Sequence, residues 1–215
     1  MKLKRFEEYF AKVILESCFP DKFVNLKVSD KPDLHYGNKI GIEVTNCMPT
    51  RVAEAFNLWH RAAKQGEQTP PRIIERLEQL EEVQCDEKGL VWNQGTYNDD
   101  MANSPIKYFL KAVKKKVERL NSSNADYSKM DSYELFVNSF ILIPFEQFGV
   151  VINRLQEINS KPKKFDYIYL LTNEQKILIF DMLNGLVYPK HLYGWLDKMA
   201  DKAKELYLGV KNDET

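Results

Sequence analysis

Lys31-Pro32-Asp33-Leu34-His35-Tyr36-Gly37-Asn38-Lys39-Ile40-Gly41-Ile42-Glu43-Val44-Thr45 is the stretch on which the reading of this chain turns. Two extended runs, 32–36 and 39–48, flank Gly37-Asn38, and a two-residue connection of this type predicts a β-hairpin. Side chains alternate along a strand. Ile40, Ile42 and Val44 therefore point one way, into core, while Lys39, Gly41, Glu43 and Thr45 share the other face. A central strand covered on both sides should be apolar on both, so this polar row marks a place where chemistry can sit. Asp33 lies near the open end of the hairpin, within approach of Glu43 to Thr45. Two converging carboxylates suit a hard divalent cation, which takes oxygen ligands and keeps several waters. Gly41, without a side chain, leaves room for a close approach. The same residues admit a plainer reading. Asp33 would cap a turn after Pro32, and Lys39, Glu43 and Thr45 would be the solvated face of an edge hairpin, Lys39 paired with Glu43.

Working outward, residues 3–18 have Phe6, Tyr9, Phe10, Val13, Ile14 and Ser17 at helical spacing, and Pro20 ends the element. Residues 23–27 alternate weakly and suit a short strand. Helical period returns over 51–65, and Pro71 is a suitable first residue for a helix over 71–84. Residues 86–104 have no clean period and read as a loop or small ribbon. Ser104-Pro105 caps a helix to about Leu120, with Phe109, Leu110, Val113, Val117 and Leu120 inward. A polar linker, 122–129, follows. The remainder predicts strand 133–143, helix 145–159, strands 165–172 and 176–182, and a last helix over about 190–207. Strands alternating with helices imply an α/β sheet covered on both faces. A length of 215 residues favours one domain, spanning 1–215, with 51–130 a mainly helical insertion or layer.

Composition narrows the class. The chain is 44% hydrophobic and 29% charged, with only nine glycines and nine prolines, which excludes collagen-like, low-complexity and disordered chains. Basic and acidic residues balance at 31 each, so an argument for nucleic acid has to rest on local charge. Cys18, Cys47 and Cys85 lie far apart, without zinc spacing, and read as reduced buried thiols of a cytoplasmic protein. The charged N-terminus is no signal peptide. The longest apolar run, Phe140 to Phe145, is far short of the ~20 residues a membrane span requires, so no membrane partner is expected.

Pro32-Asp33, nine residues, then Glu43-x-Thr45 resembles the PD-(D/E)xK nuclease superfamily, which shares the restriction-endonuclease-like fold. The element order α–β–β–(α)–β–α–β agrees with that fold. The motif covers residues 3–48, and 133–182 agree by pattern. The resemblance implies a mixed central sheet flanked by helices, with an additional helical segment after the hairpin. It implies a nuclease acting on DNA rather than RNA, with Mg2+ or Mn2+ as cofactor. Asp33, Glu43 and the main chain of Val44 would hold the metal, which lowers the pKa of a bound water and stabilises charge on a phosphodiester. A glutamate of the first helix often completes such a site. Glu7 flanks the apolar stripe on the appropriate side, Glu16 lies on the opposite flank and Glu8 points away. The family's lysine, two residues after the glutamate, is Thr45 here. Lys39 shares the strand face and is the expected substitute, with Arg51, His60, Arg61 or Lys64 as further sources of charge. A catalytic set of Asp33, Glu43, Thr45 and Lys39 follows. The alternative is a non-catalytic member that keeps the fold as a binding or assembly module.

Local charge adds a second expectation. Residues 104–120 carry six basic side chains against Glu118 alone, and Lys107, Lys111, Lys114 and Lys115 fall on one stripe that could bind phosphates. Residues 67–87 hold seven acids against two arginines, so the two segments can pair with each other or across a homodimer. His35, His60 and His191 lack ligand spacing, and no phosphate loop, zinc-protease or serine-hydrolase motif is present.

Overall fold

The alternation along β3 (Ile40–Cys47) places it at the join between the hairpin and the rest of a seven-stranded mixed sheet. The computed structural model describes residues 6–47, 54, 58, 70–79, 83–85, 91–94, 105–123, 126–139, 141–172 and 176–213. Within these run α1 (Phe6–Cys18), β1 (Lys27–Val28), β2 (Leu34–Tyr36), β3, α2 (Pro71–Gln79), β4 (Val83–Cys85), β5 (Val91–Gln94), α3 (Pro105–Leu120), β6 (Ser132–Ser139), α4 (Phe148–Ile158), β7 (Tyr167–Leu171), β8 (Lys176–Asp181), β9 (Leu186–His191) and α5 (Leu196–Asp213). The strand order is β1-β2-β3-β6-β7-β8-β9. β1, β2 and β3 are antiparallel neighbours. β3 pairs with β6 in parallel over its whole length, from Ile40↔Ser132 to Cys47↔Ser139. A parallel pair needs a long crossover, and α3 ends the one between β3 and β6.

The chain divides into two compact units, 1–47 with 109–215 and 48–108. The second holds α2 and the two-stranded ribbon β4–β5, and α3 from Phe109 onward belongs to the first. Glu54 in the second unit is held by a two-pronged bond from Arg76, at 2.8 and 3.1 Å.

In the first unit both sheet faces are covered. Ile42, Val44, Phe136 and Tyr169 form one core with Tyr9, Phe10, Val13 and Ile14 of α1 and Met199 and Ala203 of α5. The rings of Phe6 and Tyr9 meet Tyr207 at 6.3 and 5.8 Å. On the opposite face Phe109 of α3 packs against Phe180 of β8, ring centroids 5.4 Å apart.

Several boundaries differ from the sequence reading. Tyr36 pairs with Ile40, so the hairpin turns through three residues, and Gly37 supplies the positive φ of 55° that the turn needs. Helix 71–84 ends at Gln79, and 83–85 form a strand of the small ribbon instead. β9 was not expected. Asn184-Gly185, a good turn signal, returns the chain at Gly185 (φ 67°) to pair Asp181 with Leu186. The last helix accordingly starts at Leu196. Most of the expected helix 51–65, with Arg51, His60, Arg61 and Lys64, lies outside the described residues. No helix among the described residues is long and apolar enough to cross a membrane.

Candidate functional site

The hairpin register sets Asp33 beside Glu43, and both are buried, at 3% and 1% exposure. Asp33 Oδ2 accepts the Val44 backbone N–H at 2.8 Å, a bond made in place of a ladder bond one residue before β2 begins. This bond fixes the Asp33 carboxylate against the strand that carries Glu43. Gly41 makes the close packing possible. A Cβ there would lie 2.8 Å from Pro32 Cγ and 2.9 Å from Met130 Cγ. The room left by Gly41 is thus filled by the protein's own Pro32 and Met130.

The cation that meets this pair comes from α3. Lys116 Nζ lies 2.6 Å from Glu43 Oε2 and 3.3 Å from Asp33 Oδ2. Its side chain is 12% exposed. Charge-assisted contacts this short are the strong ones. The other oxygen, Glu43 Oε1, is buried and has no hydrogen-bond partner among the described residues, and the same holds for the Tyr127 hydroxyl. Burial first, and then the negative charge of Glu43, push the Tyr127 phenol far above its ordinary value. It stays protonated, a donor beside an acceptor-only carboxylate. An unpartnered buried polar atom costs about 1–3 kcal/mol, and the Tyr127 hydroxyl is a donor that interacts with the Glu43 carboxylate.

The group opens on a cavity of about 420 Å³ lined by Glu7, Glu8, Asp33, Val44, Thr45, Asn46, Lys115, Lys116 and Arg119. Three acids and three bases face one space. Thr45 follows Glu43 on the same strand face. Asn46 Nδ2 donates weakly to Glu7 Oε1 at 3.5 Å.

Glu7, Asp33, Val44 and Thr45 therefore line one cavity, and Glu43 is joined to Asp33 through Lys116. Three expectations need correction. Glu8 does not point away: it is 5% exposed and lines the cavity beside Glu7. Lys39 does not share the strand face with Glu43. It ends the three-residue turn, exposed, its N–H donating to Tyr36 O at 3.1 Å. Four residues of strand, roughly 13 Å, separate it from Glu43, and the pairing expected of Lys39 is made by Lys116. Nor is Glu43 on a solvated face, since it is among the most buried side chains of the chain. Glu16 lies elsewhere, bonding Lys12 and the Leu26 N–H at 2.5 and 2.7 Å. Lys107, Lys111, Lys114 and Lys115 are all exposed on α3, and of these Lys115 lines the cavity. His35 Nδ1 sits 2.9 Å from Gly37 O, and His191 stacks on Tyr193, apart from the site.

Sequence reasoning missed Lys116, Arg119 and Tyr127. For Lys116 a signal existed. Phe109, Val113, Lys116 and Leu120 follow one another at spacings of four, three and four, which is the inward stripe of an amphipathic helix. Tyr127, in the polar linker, carried none.

The donor set fits a magnesium-like ion in part. Among the described residues no group of three or more His, Cys, Asp or Glu side chains is gathered to hold a metal. Two carboxylates are nevertheless what Mg2+ commonly uses, the rest of its shell being water and substrate phosphate. The thiols do not fit. Burial pushes Cys47 up to about 12 and raises Cys18, partly offset by Lys190, so neither is a ready thiolate. The Cys85 side chain lies outside the described residues. No protein-family model, curated protein or solved structure matches this chain.

Proposed function

We propose that the chain is a metal-dependent phosphodiesterase with a restriction-endonuclease-like fold, acting on nucleic acid, DNA rather than RNA. The observation that carries this reading is the buried Asp33–Glu43 pair, which reaches through Asp33 and Lys116 a cavity lined by both acids and bases. The parallel β3–β6 pair reached through α3 supports the fold assignment, as does the order α1-β1-β2-β3, then α3, β6, α4, β7.

Asp33, Glu43 and the main chain of Val44 would hold Mg2+ or Mn2+, with Glu7 or Glu8 completing the set through water. Bound there, the ion would supply a nucleophilic hydroxide at neutral pH and draw charge from a phosphodiester. Lys115, Lys116 and Arg119 supply the positive wall that a phosphate needs on the other side of the cavity. Lys116 takes the role that Thr45 cannot fill at the motif position, because a hydroxyl carries no charge. Thr45 orients water by hydrogen bonding. Exposed Lys107, Lys111 and Lys114 extend the basic surface along α3, where they would release counterions from a bound backbone.

Titration calorimetry with Mn2+ and Mg2+ tests the reading, followed by cleavage of supercoiled, linear, branched and single-stranded substrates. Asp33→Ala and Glu43→Ala should each abolish metal binding and cleavage while the chain remains folded. Cleavage that survives both substitutions overturns it.

A non-catalytic binding or assembly module is the second reading, and one observation favours it. The Lys116 ammonium already contacts both carboxylates, as it would in a purely structural ion cluster.

A further inference from the structure

The position of Lys116 is itself informative, on the reading that Asp33 and Glu43 hold a metal. We propose that its ammonium is a built-in competitor for the metal, so that a divalent cation enters only by displacing Lys116 from the two carboxylates.

The ammonium reaches one oxygen of each acid, Glu43 Oε2 at 2.6 Å and Asp33 Oδ2 at 3.3 Å. A divalent cation held between the two acids would have to take the place that the ammonium fills. The two cations cannot share it, because space is lacking and like charges repel. The backbone that carries the two carboxylates is held in place. Asp33 Oδ2 is pinned by the Val44 N–H at 2.8 Å, and Glu43 projects from an eight-residue strand paired along its whole length. Lys116 can move. Its stem has four rotatable carbons, and it lines the cavity with Lys115 and Arg119, where an entering phosphate would draw it. Glu43 Oε1 is left without a partner while Lys116 occupies Oε2, so the ammonium fills the site without completing it. The consequence is a site whose negative charge is partly balanced when unloaded and which favours metal most when an anion receives the displaced lysine.

Calorimetric titration of the full chain with Mn2+ alone tests this, comparing the parent with Lys116→Met and Lys116→Gln. Glutamine keeps a hydrogen-bond donor without the charge, and so guards against a variant that fails to fold. Both variants should bind at least about tenfold tighter than the parent, since the ammonium repels a divalent ion competing for the same carboxylates. Asp33→Ala should remove the gain in either background. A second measurement uses the parent alone. Acylation of Lys116 amine, mapped by mass spectrometry against exposed Lys114, should rise severalfold when Mn2+ is saturating. Equal or weaker affinity in folded variants, or unchanged Lys116 reactivity at saturating Mn2+, overturns the competitor role while leaving metal binding in place. No Mn2+ binding by the parent or by either variant overturns the metal reading together with it.

Discussion

Two buried clusters of acid and ammonium sit on opposite faces of the same pair of strands, and they are built differently. Ile42 pairs with Glu134 and Glu43 pairs with Leu135, so Glu134 shares the α1 face and Glu43 faces the other way. Each carboxylate is 1% exposed. Glu134 is complete: Lys22 Nζ lies 2.8 Å from Oε1, and the Tyr169 hydroxyl donates to Oε2 at 2.9 Å. Lys22 is itself one-third exposed, with its ammonium 3.8 Å from the centre of the Tyr167 ring and bonded to the Tyr169 oxygen at 2.9 Å. Glu43 has one satisfied oxygen and one unpartnered, and its neighbours open on a cavity. A polar cluster that exists for the fold closes all its bonds, since a half-satisfied one is worse than none. The Glu43 cluster meets its cavity through Asp33 and Lys116.

The sharpest way to break this contrast is to remove the lysine on each side. Lys22→Met leaves Glu134 buried without its counter-charge and should cost about 3 kcal/mol of unfolding free energy, read by urea denaturation, with Mn2+ giving nothing back. Lys116→Met should also destabilise, but millimolar Mn2+ should restore much of the loss, because the ligand binds the folded state. Equal recovery of both variants, or of neither, would erase the distinction between a structural and a functional cluster.

A smaller effect is expected where the hairpin closes on itself. Gly41→Ala would drive a methyl to within 2.8 Å of the Pro32 ring and 2.9 Å of Met130, at about 1–3 kcal/mol. Pro32 precedes Asp33, so the strain should also weaken Mn2+ binding. Gly149→Ala is the opposing case: nothing lies within 4 Å of its Cβ position in α4, and alanine there should stabilise by about 0.5–1 kcal/mol. A Gly41→Ala chain as stable as the parent, with unchanged metal affinity, would show that the close approach of Pro32 does not hold Asp33 in place.

These sites differ in how far the sequence discloses them. The alternation Ile40, Ile42, Val44 against Glu43 and Thr45 was legible because period-two patterning survives on a strand whose two faces meet different layers. Asp33 followed, since a hairpin brings nearby residues together by register alone. Lys39 was misplaced because the turn takes three residues, and one extra residue removes a side chain from the strand face. Lys116 is 73 positions from Glu43, and nothing local says which strand α3 covers. Its place in the inward stripe was the trace that a buried counter-charge leaves. The Glu134 cluster was equally hidden, because Lys22, Glu134, Tyr167 and Tyr169 meet only once α1 is docked on the sheet. β9 went unread because Pro189 and its exposed side chains weaken the strand pattern at an edge.

The smallest expected effect concerns the sign of the Glu134 contribution. Burial is the largest influence on this carboxyl, ahead of Lys22 and Tyr169, and it leaves the folded-state pKa raised. A raised acid binds its proton more tightly when folded. Its stabilising contribution is therefore full below the unfolded value of about 4.3 and is lost as pH rises through the higher folded value. Against Glu134→Gln, the parent should lose relative stability on going from pH 4 toward neutrality, and the difference should then level off. Paired denaturation curves at pH 4, 5, 6 and 7 measure it. A parent that instead gains on the variant as pH rises would mean that Lys22 outweighs burial. The closed cluster would then be a source of stability at neutral pH, and what separates the two faces would be the partner count of each carboxylate oxygen rather than the expense of burying the charge.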